Sequence, residues 1–180
     1  MLRFILKGLM IWLPIFVFLV GCNQESSNSH TSEQTTTDIE TVTVYKSQSC
    51  GCCKKWIDHL EVGGYKVMTQ HPNDLLAVKE RFGIAPNLRS CHTAVSSDGY
   101  VFEGHISIRY IQQFLANPPS DSIGLSVPAM PVGSPGMEFG NKFMPYQILL
   151  MKKDGSTEVF MQVDSKHQQY QLEEKQEMNP

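Results

Sequence analysis

Three cysteines crowd into four consecutive positions, Cys50-Gly51-Cys52-Cys53, at the junction of a strand-like run and a helix-like one. Before them, Thr41 to Lys46 alternates β-branched and other residues as a strand does. After them, Cys53, Trp56, Ile57 and Leu60 recur at helical spacing from Cys52 to about Val62, where Gly63-Gly64 stops the element. The cluster therefore occupies a helix N-terminus, whose unpaired amides and dipole favour thiolate over thiol. Low thiol pKa values are expected there.

The remaining pattern completes an order of elements. Tyr65 to Gln70 reads as a second strand, His71-Pro72-Asn73-Asp74 as a turn with an Asn/Asp cap, and Leu75 to Phe82 as a helix closed by Gly83. Cys91–Ser96 and Tyr100–Glu103 flank Ser97-Asp98-Gly99, a hairpin signal. Ser107 caps a third helix with the stripe Ile108, Ile111, Phe114 and Leu115, stopped by Asn117-Pro118-Pro119. The order β-α-β-α-β-β-α predicts an α/β fold of thioredoxin-like type, with strand order 2-1-3-4 and helices on the sheet faces. Residues 118–145, rich in Pro, Gly and Met, read as an irregular loop too long for an ordinary connection. Tyr146–Met151 and Thr157–Val163 then form a C-terminal β-hairpin around Lys153-Asp154-Gly155, and residues 164–180 read as a frayed polar tail.

The chain begins with an address. Arg3 and Lys7 precede an apolar run from Leu9 to Val20, and Leu19-Val20-Gly21-Cys22 resembles the cleavage box of a bacterial lipoprotein, with Cys22 as the lipidated residue. The competing reading is a transmembrane helix, which Pro14 and the Cys at the junction argue against. Asn23 in place of Asp after that Cys points to the outer membrane, facing the periplasm, in a host with two membranes. Residues 23–40 are almost devoid of apolar side chains and read as a flexible tether. One domain of ordinary size follows. Cleavage before Cys22 removes two cations and takes the net charge from −3 to −5. With no basic block, nucleic-acid binding is excluded as a function class.

Topology gathers the reactive side chains. Strand 1 ends at the Cys cluster, and an antiparallel strand 3 starts at that end with Cys91 and His92. Strands 2 and 4 finish there as well, bringing His71 and His105 to the same rim. All four cysteines of the folded part converge. Crowded thiolates either attack disulfides or bind soft metals. A dithiol enzyme needs only Cys50 and Cys53, and Cys52 and Cys91 would compete with that pair in an oxidising compartment, so a metal is favoured. Adjacent Cys91 and His92, pointing to opposite faces of a strand, make a poor second ligand pair for zinc. An iron–sulfur cluster fits adjacent Cys52 and Cys53 poorly. Cu(I) accepts low coordination and bridging sulfurs, so this set can hold more than one ion.

Met130, Met137 and Met144 lie in the Pro/Gly loop as candidate thioether ligands, or as adaptable filler packed on the sheet. Met130 and Met137 are candidate metal ligands. His92 and His105 are candidate ligands by position, and His71, at a pre-proline turn, a weaker one. His30, His59 and His167 read as solvated, and Trp56 as a core anchor that screens the cluster from water.

With Ser90-Cys91-His92-Thr93-Ala94, Glu103-Gly104-His105 and Val127-Pro-Ala-Met-Pro-Val-Gly-Ser-Pro-Gly-Met-Glu138, the Cys50–Trp56 motif resembles a family of exported metal-binding proteins that includes the copper-resistance protein CopG. The resemblance spans about residues 42 to 160 and implies a thioredoxin-like fold. It also implies copper held by Cys50, Cys52, Cys53 and Cys91, a periplasmic or surface setting, copper tolerance as the role, and Cu(I)/Cu(II) cycling. Ala129 stands where a second glycine is expected, which bears on loop flexibility and leaves the ligand set intact.

The expected function is a lipid-anchored envelope protein that sequesters copper, with other copper-handling envelope proteins as partners. The alternatives are a thiol–disulfide oxidoreductase with Cys50 as nucleophile and Cys53 as resolving thiol, and a storage or handover module without turnover. Pro86, five residues before Cys91, leaves strand 3 without the proline that begins it in thioredoxin-like oxidoreductases.

Overall fold

The computed structural model describes residues 40–170. The leader, Cys22, His30, nearly all of the tether and the last ten residues lie outside them. The elements are β1 (Thr41–Lys46), α1 (Gly51–Val62), β2 (Lys66–Gln70), α2 (Leu75–Arg81), β3 (His92–Ser96), β4 (Val101–Glu103), α3 (Ile108–Ala116), β5 (Ser122–Ser126), β6 (Tyr146–Lys152) and β7 (Thr157–Val163). Short 3₁₀ turns cover Pro86–Leu88 and His167–Gln169.

All the strands join one seven-stranded sheet of order β2-β1-β3-β4-β5-β6-β7. β1 pairs parallel with β2 and antiparallel with β3, which continues antiparallel into β4. The expected order 2-1-3-4 thus forms one side of the sheet. β4 is buried along its whole length, as a central strand covered on both faces should be. Phe102 belongs to the main core with Trp56, Leu60, Tyr110 and Phe114, while its neighbour Val101 packs with Ile84, Leu88 and Met151 in a smaller one. Alternation along β4 sends the two side chains to opposite faces.

The long loop is shorter than its composition predicts. Ser122–Ser126 forms β5, parallel to β4 and antiparallel to β6, and so joins the C-terminal hairpin to the main sheet. Between flanking prolines, Ile123 and Leu125 alternate with small residues, a strand signal diluted by the Pro/Gly content on either side. The irregular part is residues 127–145.

The tail also differs from expectation. Up to Tyr170 it is docked, and Gln169 is fully buried. Its side-chain amide donates to the Gly133 carbonyl (2.9 Å) and accepts from the Tyr146 hydroxyl (2.6 Å), and its own carbonyl accepts from Ser107. Polarity in the sequence here marks a satisfied buried amide. Ser107 precedes α3 as expected, but its hydroxyl is committed to Gln169. The capping acceptor is instead Nε2 of His59, 3.0 Å from the Ile108 amide. His59 is accordingly half-buried, with Tyr170 packed edge-on against its ring, where the sequence reading had it solvated.

Candidate metal centre

The site begins where β1 runs out. The Cys50 amide closes a turn on the Ser47 carbonyl (3.1 Å), and Cys50 caps α1 through its sulfur, which accepts the Cys53 amide at 3.3 Å. Cys50 and Cys53 are joined as a disulfide. Cys52 and Cys91 are free thiols, with Cys52 Sγ 3.5 Å from Cys50 Sγ and Cys91 Sγ 3.5 Å from Cys53 Sγ. All four sulfurs lie within 4.8 Å of one another. The convergence read from topology is realised.

Cys91 reaches the cluster from the segment before β3, which buried groups hold in place. Glu103, at the end of β4, is fully buried and accepts from the Ser90 amide (2.6 Å), the Thr93 hydroxyl (2.7 Å) and the buried ammonium of Lys79. Burial raises the Glu103 carboxyl pKa, and the Lys79 cation opposes that rise. Gly104 follows at φ +82°, where a Cβ would stand 2.5 Å from the Val127 carbonyl and 2.7 Å from Cβ of Ser90. Only glycine lets these three segments cross so closely.

Beyond that crossing, His105 places Nε2 3.0 Å from Cys91 Sγ, and its Nδ1 donates to the Pro135 carbonyl at 2.8 Å. That bond leaves the Nε2 lone pair directed at the thiol. His92 Nδ1 lies 3.3 Å from the same sulfur, and its ring packs on Trp56 with centroids 4.3 Å apart. The expectation that Cys91 and His92 face opposite ways fails because Cys91 precedes the regular strand, so strict alternation does not reach it. Cys91, His92 and His105 form a second ligand group that shares Cys91 with the first.

The electrostatics follow from burial. His92 and His105 are both inaccessible, and desolvation lowers both imidazole pKa values, that of His92 strongly. Burial thus favours the neutral rings, which offer lone pairs. The Cys91 thiol is pushed up to about 12 by burial and by the neighbouring Cys52. Cys91 stands outside the helix terminus to which the expectation of low thiol pKa values applies. His92 Nε2 is buried with no hydrogen-bond partner, the kind of unmet acceptor or donor that a bound ion or water satisfies. Four sulfurs and two neutral imidazoles make a soft-to-borderline donor set.

The irregular loop seals the site on one side. Gly136, at φ +83°, sits so near the first turn of α1 that a Cβ would lie 2.8 Å from both the Cys52 carbonyl and the Trp56 amide. Its neighbour Pro135 supplies the carbonyl that orients His105. Met137 follows half-buried, its amide on the Ser134 carbonyl (2.8 Å) and its carbonyl on the Gly133 amide (2.9 Å). Met130 and Met144 are exposed. Trp56 is fully buried and donates to the Ile106 carbonyl at 2.8 Å, the screening anchor that its position implies. His71 stands apart from both ligand groups, exposed and bonded to the Lys46 carbonyl (3.1 Å), and His167 is exposed. Sequence reasoning missed the Lys79–Glu103–Thr93 network, the Pro135 carbonyl and Gln169. Of these only Glu103, inside a Glu-Gly-His motif, carried a visible signal.

Two solved structures, both of copper resistance protein CopG, resemble this chain. One (form 2) is 38% identical, with a TM-score of 0.67 over 71% of this chain and 100% of the other. The second (form 1) is 39% identical, with a TM-score of 0.65 over 69% and 98%. The chain belongs to the CopG-like family. Residues 88–137 match a family described as "Protein of unknown function, DUF411", a stretch that includes Cys91, His92, Glu103, His105 and the loop through Met137. No curated protein matches the chain. The matched stretch is the strand pair and loop that close over the cysteine cluster at the N-terminus of α1.

Proposed function

We propose that this protein binds copper in the cell envelope and holds it as Cu(I) on Cys50, Cys52, Cys53 and Cys91, sequestering the ion in a copper-resistance role. The observation that carries the reading is the placement of four sulfurs within 4.8 Å of one another. Bridging sulfurs at this density suit a multinuclear thiolate cluster. His92 and His105 extend the donor set toward a harder ion, which supports copper redox as a further step, with Met130 and Met137 as thioether donors from the loop. The fold is of thioredoxin-like type, consistent with strand order 2-1-3-4 and the cysteine motif at the first helix. Anchoring through a lipid on Cys22, at the outer membrane facing the periplasm, rests on the leader motif, and copper-handling envelope proteins are the partners that this setting supplies. Copper resistance itself is the named role of the similar solved proteins.

The test is metal and sulfur analysis of the full chain after copper loading under reducing conditions and exhaustive desalting. Retention of two or more copper ions per chain is the expected result. Loss of copper from the fully reduced protein overturns the reading. A thiol–disulfide oxidoreductase is the second reading, favoured by the Cys50–Cys53 disulfide. It requires insulin-type disulfide reduction that survives Cys52→Ser.

A further inference from the structure

The disulfide removes two of the four thiols that the copper reading needs, so that reading depends on a route for reducing it. The two residues differ in access. Cys53 is fully buried, whereas Cys50 is half-buried and lines an open groove of about 440 Å³ on the outer side of α1. That volume suits a small molecule. Lys46, Lys54 and His71 line the groove beside Cys50, and Asp58 and Glu61 line it further along α1. Lys46 is held in place by its bond to the Ser47 carbonyl (2.9 Å), and His71 by its bond to the Lys46 carbonyl (3.1 Å). Basic and acidic groups in one groove complement a zwitterion that carries both carboxylates and an ammonium.

We propose that this groove binds a small zwitterionic thiol of the cysteinyl-peptide class, which reduces the Cys50–Cys53 disulfide by attack on Cys50 and thereby opens the copper site. The thiolate sulfur forms a bond to Cys50 Sγ as the Cys50–Cys53 bond breaks, and Cys53 leaves as a thiolate. A second molecule of the thiol attacks the peptide sulfur of this mixed disulfide and releases Cys50 as a thiolate. Two thiols are oxidised to one disulfide, two electrons enter the protein, and the two protons lost by the thiols balance the two thiolates released. The liberated Cys53 sulfur lies beside Cys91, 3.5 Å away, so the reduced pair rejoins the other ligands without rearrangement. This inference rests on the copper reading but concerns Cys50 and its groove, which neither His92 nor His105 lines.

The experiment mixes the oxidised, copper-free full chain with reduced glutathione under anaerobic conditions, quenches with acid and maps adducts by mass spectrometry. The expected adduct is on Cys50, and the reduction rate should saturate with glutathione concentration. Lys54→Glu, an exposed substitution, should raise the half-saturating concentration about threefold. Its rate with mercaptoethanol, which reacts as a thiolate but lacks the carboxylates and the ammonium, should show no saturation and should change much less than the glutathione rate does. An adduct on Cys53, or a rate linear in glutathione and equal in both proteins, overturns the proposal. A chain reduced fully by a phosphine that still fails to retain copper would overturn the copper reading instead, leaving the glutathione result standing.

Discussion

The sulfur of Cys91 lies between two donors, 3.0 Å from Nε2 of His105 and 3.5 Å from Sγ of Cys53. It is the one residue common to the thiolate group and the imidazole group. Cys91→Ser should therefore lose more copper than Cys52→Ser, since it removes a ligand from both groups. Copper stoichiometry of the two variants, measured after equal loading, checks the order.

Gly136 brings the loop against α1 with no space for a side chain. Gly136→Ala should cost about 1–3 kcal/mol by overpacking and backbone strain. It should also speed copper transfer to a chelator, because Pro135 would no longer hold His105 in place. Urea unfolding and a competition assay with a Cu(I)-specific chelator read the two effects separately.

Glu103→Gln leaves the buried Lys79 ammonium without its counter-charge. A broken buried pair costs about 3–5 kcal/mol, and replacing both members by neutral residues costs much less. Glu103→Gln should thus be more destabilising than the double variant Lys79→Met/Glu103→Gln, a ranking that chemical denaturation can test.

His59, His92 and His105 all have pKa values lowered from 6.5, chiefly by burial. The unfolded chain takes up protons first as pH falls through 6.5, so the stabilisation from neutral histidines is present above that pH and lost below it. The metal-free protein should become less stable between about pH 7 and about pH 5. His59→Gln, which offers an oxygen to the Ile108 amide without a titrating ring, should flatten part of that slope in urea midpoints measured across the range.

Ala129 occupies the left-handed region at φ 60°, with its carbonyl accepting from the Ser90 hydroxyl. Left-handed backbone costs a residue with a Cβ about 1–2 kcal/mol, and glycine gives back about 0.4–1 kcal/mol through unfolded-state entropy. Ala129→Gly should stabilise the protein by about 0.5–1 kcal/mol, seen as a raised unfolding midpoint.

Local patterning made β1, α1 and the hairpins legible, because alternation, helical spacing and Asp-Gly turns act over a few residues. Antiparallel placement of β3 then brought Cys91 to the cysteine motif by topology alone. β5 was hidden because five ordinary residues sit between prolines. Buried polar groups were the least legible. Gln169, His59 and Lys79 look like surface residues in sequence, and distant partners such as Gly133, Ile108 and Glu103 make their burial tolerable. Departures from secondary structure also escaped the pattern: one residue short of β3, Cys91 was free to turn its sulfur toward His92.

The clasp made by Gln169 on Gly133 sets an order in time. Its partners Tyr146 and Gly133 are synthesised earlier, and Gly133 belongs to the loop that supplies the carbonyl that aims His105. Without residue 169 the four cysteines are present but the loop over them is not secured. A chain cut before Gln169 would lack the contact that steadies the loop, and the carbonyl that aims His105 would be held less firmly.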